Sequence, residues 1–150
     1  RHGFRLPADD ARLTVLECDA QAWVDDDANL QSAQVLNVDL YDHEAAAPVL
    51  DSAEFYAACR GVLAHGGLMS VNLFGRAASF EGSAAKIAAA FGSDQVWSLR
   101  PTREGNTVVI AARGVPVPSR EALSLRAANI ERRYGLLAGK WLRMVRPYKA

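Results

Sequence analysis

VLNVDLYD, residues 35–42, is the stretch on which the fold turns. VLNV (35–38) is short and largely apolar, as a strand covered on both faces should be. It runs into Asp39 and, three positions later, Asp42, so two carboxylates stand at the strand's carboxyl end. In open α/β sheets, ligands bind in the crevice outside such ends. A carboxylate pair there can hold a cation, bind a metal or act as general base, because neighbouring acids strengthen cation attraction and can raise one pKa. The spacing also fits a plain structural role, with Asp39 ending the strand and Asp42 capping a turn through its side chain.

Upstream, LTVLEC (13–18) reads as a β-branched strand and AQAWV after it as a helical turn. Asp19 then occupies the same topological position as Asp39 and either rims the same crevice or caps that turn. Downstream, DSAE (51–54) resembles a capping box in which Asp51 accepts from the third helical amide and Glu54 reaches back. The helix from about 52 to 63 puts Phe55, Tyr56, Cys59, Val62 and Leu63 on one stripe, and HGG (65–67) should stop it with a left-handed cap. LMSVNLF (68–74) reads as another buried strand. A helix over 77–91 carries Phe80, Ala84, Ile87, Ala88 and Phe91 on one side and stops at Gly92.

QVWSLR (95–100) and NTVVIAAR (106–113) should pair antiparallel across PTREG. A helix opening at Ser119 and running to about Tyr134, then a short helix through Trp141 and Met144, complete the chain. The alternation argues for an α/β protein, with a largely parallel sheet, helices on both faces and a closing antiparallel pair.

Composition narrows the function classes. The 150 residues suit one main core, and the 17 basic and 17 acidic side chains cancel, so no nucleic-acid partner is implied. The one local basic cluster, KWLRMVRPYK (140–149), reads as cations at the C-terminal end of the last helix. Cys18 and Cys59 lack metal-ligand spacing, and His2, His43 and His65 are scattered, so no metal is expected. His43 beside Asp42 is a proton shuttle or an exposed loop histidine. With no signal peptide and no 18-residue apolar run, neither a membrane nor secretion is indicated, and the expected setting is reducing and cytoplasmic.

Four segments together resemble the spermidine synthase (polyamine aminopropyltransferase) family, a branch of the S-adenosylmethionine methyltransferase-like fold. LPADDARLTVLECDA is similar to the family's approach to its third strand, ending in the pair that contacts adenine, here Asp19-Ala20 next to Cys18. AQVLNVDLYD resembles the fourth strand with its D-x-x-D signature, here Asp39 and Asp42. SAEFYAACRGVLAHGGLMSVNLFG is similar to the following helix, glycine turn and fifth strand, and QVWSLRPTREGNTVVIAARG to the terminal hairpin. The likeness spans roughly residues 4–114. It implies a Rossmann-like, mostly parallel sheet in the order three, two, one, four, five, seven, six, with an antiparallel C-terminal hairpin.

The resemblance also implies chemistry. An amine attacks the methylene beside the sulfonium of decarboxylated S-adenosylmethionine, the co-substrate, and methylthioadenosine leaves, a step of polyamine biosynthesis. By carry-over Asp39 is the catalytic base, Asp42 with Tyr41 binds the polyamine, and Cys18, Asp19 and Ala20 bind the adenosyl nucleoside. The pattern departs from the family at His43, where Pro is common, and at Asn72, where Gln is frequent. The glycine-rich turn after the first strand, and the first two strands with it, have no counterpart, and the chain opens on Arg1 without an initiator Met. It therefore resembles the C-terminal part of such an enzyme: a partial domain over 1–114 and a helical appendage over 115–150.

Without those two strands LTVLEC should pair beside VLNV, with the missing segment or with a second copy through the exposed sheet edge, since unpaired buried backbone is costly. Homo-oligomerisation through that edge is the corollary. Two other readings stay open: an S-adenosylmethionine-dependent methyltransferase-like protein, and a non-catalytic truncated domain that acts by association.

Overall fold

The structure, a computed structural model, describes residues 8, 10–40, 50–74, 77–103 and 105–149, without the side chains of 74, 77 and 78. Tyr41, Asp42 and His43 lie outside the described residues. Among the described residues five α-helices, α1 (Ala20–Asp25), α2 (Ala53–Val62), α3 (Ala77–Phe91), α4 (Arg120–Tyr134) and α5 (Ala138–Met144), accompany five strands. These are β1 (Ala33–Val38), β2 (Leu63–Phe74), β3 (Val96–Leu99), β4 (Asn106–Ala112) and β5 (Val145–Pro147).

The strands form one sheet in the order β1-β2-β4-β3-β5. β1 and β2 run parallel, and the β2–β4, β4–β3 and β3–β5 pairs are antiparallel. The first four reproduce the expected sequence of neighbours four, five, seven, six, with the hairpin where PTREG places it.

Side-chain period decides which face is buried. Along β2, Met69, Val71 and Leu73 face the core, and along β4 Thr107, Val109 and Ala111 do. Against them pack Phe55, Tyr56, Cys59 and Val62 of α2 and Ile87 and Phe91 of α3, the apolar stripes expected from spacings of three and four. α2 packs on α3 and on α1, whereas α4 and α5 pack on each other. The alternate residues, Ser70, Asn72, Val108 and Ile110, stay partly exposed on the other face.

Several local expectations are corrected. LTVLEC is not a strand: residues 14–19 carry no ladder, every one of them is exposed, and the nearest pairing is an isolated bridge between Asp10 and Leu13. Pairing beside VLNV is thereby corrected: the segment runs at the surface, where exposed backbone groups can bond to water. Ser52, not Asp51, caps α2, its side chain accepting from Phe55 N at 3.0 Å. HGG does not stop α2, since Leu63 is already extended and runs straight into β2. The carbonyls at the end of α2 are met instead by Arg113, whose guanidinium Nη1 donates to the backbone oxygens of Arg60 and Gly61, each at 3.1 Å, and of Leu63.

The glycines serve the β2 entry. Gly66 has φ +84°, and Gly67 lies so close to β1 that a Cβ would stand 3.2 Å from the Gln34 oxygen. The register between β1 and β2 shifts at this point, between Ala33 and Val35. β5 gives no sequence signal, since Pro147 argues against a strand; it is tolerated because β5 is an edge.

Candidate functional site

A hollow of about 430 Å³ runs along the outer edge of β1. Thr14, Leu16 and Cys18 form one wall, residues 36–40 the other, and Trp23, Val24 and Cys59 contribute from α1 and α2. The extended segment 14–19 thus stands across a gap from the strand it was expected to join. Such a volume falls within the range of small-molecule pockets, which are mostly apolar with a few placed polar groups.

Asp39, Cys18 and Ala20 line this hollow. Asp19 is engaged locally, its Oδ1 accepting from Ala22 N at 2.8 Å to cap α1. That is the capping alternative that spacing left open. The structure therefore gathers three of the sequence-derived residues around one hollow, with Asp19 between two of its lining positions. Cys59 lies fully buried at its base, and burial pushes its thiol pKa up to about 12, so it remains a neutral apolar contact.

Asp39 is exposed but held. The register that sets Val38 beside Val71 brings Asp39 level with Asn72, and Asn72 Nδ2 donates to Asp39 Oδ1 at 3.0 Å. Asn106 Nδ2 on β4 in turn donates to Asn72 Oδ1 at 3.2 Å, which fixes which end of the Asn72 amide faces the carboxylate. Two residues back on β1, Asn37 Oδ1 accepts from Ser70 Oγ at 2.6 Å. One carboxylate oxygen of Asp39 is thus oriented by a side-chain amide, an arrangement that suits accepting a proton or a cation at the other oxygen.

Sequence reasoning noted Asn72 only as a departure and missed Asn37, Ser70 and Asn106. The available signal was the period of two: Asn37 and Asp39 share one face of β1, and Ser70 and Asn72 one face of β2. What the sequence lacked was the register that sets these rows side by side. Among the described residues no group of three His, Cys, Asp or Glu gathers as metal ligands, and no helix is long and apolar enough to cross a membrane.

No family model matches the sequence, and no curated protein matches it. The fold, however, is similar to solved spermidine synthases. A probable spermidine synthase from Corynebacterium glutamicum matches with a TM-score of 0.64 at 22% identity, over 87% of this chain and 47% of its own. The spermidine synthase of Thermotoga maritima matches with a TM-score of 0.62 at 15% identity, over 95% of this chain and 47% of its own. The chain spans about half the length of these proteins. Its mixed α/β architecture with a five-stranded sheet matches about half of the fold of these proteins, the fold that the four segments pointed to.

Proposed function

We propose that this chain is the amine-side part of a polyamine aminopropyltransferase, with its nucleoside held along the hollow beside β1. The observation that carries the reading is Asp39, oriented by Asn72 at the carboxyl end of β1 on the rim of that hollow. The likeness in fold to spermidine synthases supports it.

An alkyl amine is largely protonated near neutral pH and attacks only as the free base. Asp39 accepts that proton. The amine nitrogen then forms a bond to the methylene carbon next to sulfur, the carbon–sulfur bond breaks with its electron pair, and the sulfonium becomes the neutral thioether of methylthioadenosine. Orientation by the Asn72 amide keeps the accepting oxygen in place, so little reorganisation accompanies transfer. Asp42 and Tyr41 complete the amine site by resemblance, while Cys18, Asp19 and Ala20 contact the nucleoside. The division near residue 114, self-association through the β1 edge and a cytoplasmic setting belong to the same reading.

Methylthioadenosine binding tests it. At 100 times its dissociation constant the nucleoside should stabilise the protein by about 2.7 kcal/mol, read as a rise in Tm. Asp39→Asn should keep that rise and lower aminopropyl transfer to putrescine by about 10²- to 10⁴-fold. No nucleoside-dependent shift overturns the cofactor assignment, and undiminished transfer in Asp39→Asn removes the base. The association reading rests on a separate observation, the β1 edge that is unpaired among the described residues, and is favoured if partner capture persists while nucleoside binding is absent.

A further inference from the structure

The neutral total charge conceals a segregation along the chain. Positions 1–54 hold twelve acidic and three basic residues, whereas positions 100–150 hold eleven basic and three acidic ones. In space the basic third converges. A second hollow, of about 600 Å³, is lined by Arg100, Arg120, Arg143, Val145, Arg146 and Pro147. Four guanidinium-bearing residues from four separate places, just past β3, the start of α4, the end of α5 and β5, thus share one concavity with no carboxylate in its lining among the described residues.

The backbone holds them there. β5 pairs with β3 so that Arg146 stands opposite Ser98, and Arg100 N donates to Met144 O at 3.1 Å. Arg146 Nη1 donates to the carbonyls of Arg143 and Val145 at 2.8 and 2.9 Å, which pins its guanidinium at the rim. Among the described residues the ion pairs are Arg12 with Asp10 and Lys86 with Asp51, and neither involves these arginines. Glu121 follows Arg120 and lines, with Ser124 and Leu125, an adjoining surface that shares Arg120 with this hollow.

Helix dipoles account for only part of this placement. Arg143 lies in the last turn of α5, where a cation is favoured, but Arg120 is the first residue of α4, where a cation is disfavoured. Guanidinium groups do not deprotonate in proteins, so this lining stays positive across the physiological pH range. A bound anion complements it.

We propose that this hollow is a binding site for a small oligophosphate, an anion carrying two or three linked phosphoryl groups. The planar fork of each arginine matches phosphate oxygens bidentately, and several linked phosphates reach several forks at once. Among the described residues its lining contains no aromatic ring on which bases would stack, the feature expected of a single-stranded nucleic-acid groove. The proposal is independent of the aminopropyl-transfer reading, whose hollow lies along β1.

Titration of the full chain with inorganic tripolyphosphate, followed by calorimetry at fixed ionic strength, tests it. Tripolyphosphate should bind one site per chain more tightly than monophosphate. Arg120→Ala and Arg143→Ala should each weaken it about tenfold. The paired variant Arg132→Ala with Arg133→Ala removes two charges from the opposite end of α4 and should leave affinity nearly unchanged. A rise in wild-type Tm with tripolyphosphate provides a second readout should a variant fail to fold. Equal losses in the control and the site variants, affinity no better than for monophosphate, or tighter binding of a single-stranded oligonucleotide through the same arginines would each overturn the proposal.

Discussion

Asp51 ties the entry of α2 to α3. Its carboxylate accepts from Tyr56 Oη at 2.9 Å, Ser83 Oγ at 3.0 Å and Lys86 Nζ at 2.6 Å, and its carbonyl accepts from Lys86 Nζ at 2.8 Å. Burial works to raise its pKa, but the bonds from Lys86, Tyr56 and Ser83 outweigh it and hold the carboxyl below the ordinary value. A depressed folded pKa adds stability above the unfolded value of about 3.9, and that stability is lost as pH falls through the folded value. Unfolding midpoints should therefore drop below about pH 4, and Asp51→Asn, costing about 1–2 kcal/mol at neutral pH, should flatten that drop. A pH series of Tm values checks both. The two thiols offer a second check. Cys18 is exposed and Cys59 is fully buried with its pKa pushed up to about 12, so a thiol reagent should label Cys18 in the native protein and Cys59 only on unfolding.

Among the elements, α2 shows how a helix end can be finished from far away. Its last carbonyls receive Arg113, about fifty residues on, instead of a glycine cap. Arg113→Met should therefore cost about 1–3 kcal/mol, measurable by denaturant unfolding, because the carbonyls lose a charged donor in a half-buried place. Gly67→Ala should be destabilising by a similar amount, about 1–3 kcal/mol, since the new Cβ meets the backbone oxygens of Ala64 at 2.9 Å and of Gln34 on β1 at 3.2 Å, and backbone cannot give way easily. The cap of α4 is simpler: Ser119 accepts from Ala122 N at 3.2 Å, as the sequence alone implied.

Among the described residues the molecule presents two surfaces without a partner, the outer edge of β1 and the arginine hollow. An edge strand is a template for another chain where its donors and acceptors go unmatched, and the outer edge of β1 carries no partner strand among the described residues, with Val35 upon it 63% exposed. Self-association through this edge should appear as a concentration-dependent mass in sedimentation, and Val35→Lys should reduce it without changing the circular dichroism spectrum. A mass that stays monomeric at every concentration removes the edge as a homotypic interface. The two surfaces lie on opposite flanks of the sheet, since β1 and β5 are its two edges, so Val35→Lys should not alter tripolyphosphate binding.

What the sequence determined by itself were the features whose causes are local. The apolar stripes of α2 and α3, the Ser119 cap, the Gly92 stop and the hairpin across PTREG are all written within a few residues of where they act, because periodicity and capping are short-range effects. The strand ending in Asp39 was legible for the same reason. LTVLEC had equally good local character and still formed no strand, because a strand exists only through a ladder of hydrogen bonds to a neighbouring strand, and residues 14–19 carry none. Tertiary structure alone decided that Asn72, 33 residues away, would hold Asp39, that Arg113 would close α2, and that Arg100 and Arg120 would join Arg143 and Arg146. Each of these depends on register and packing between distant segments, a relation that no single stretch of the chain encodes.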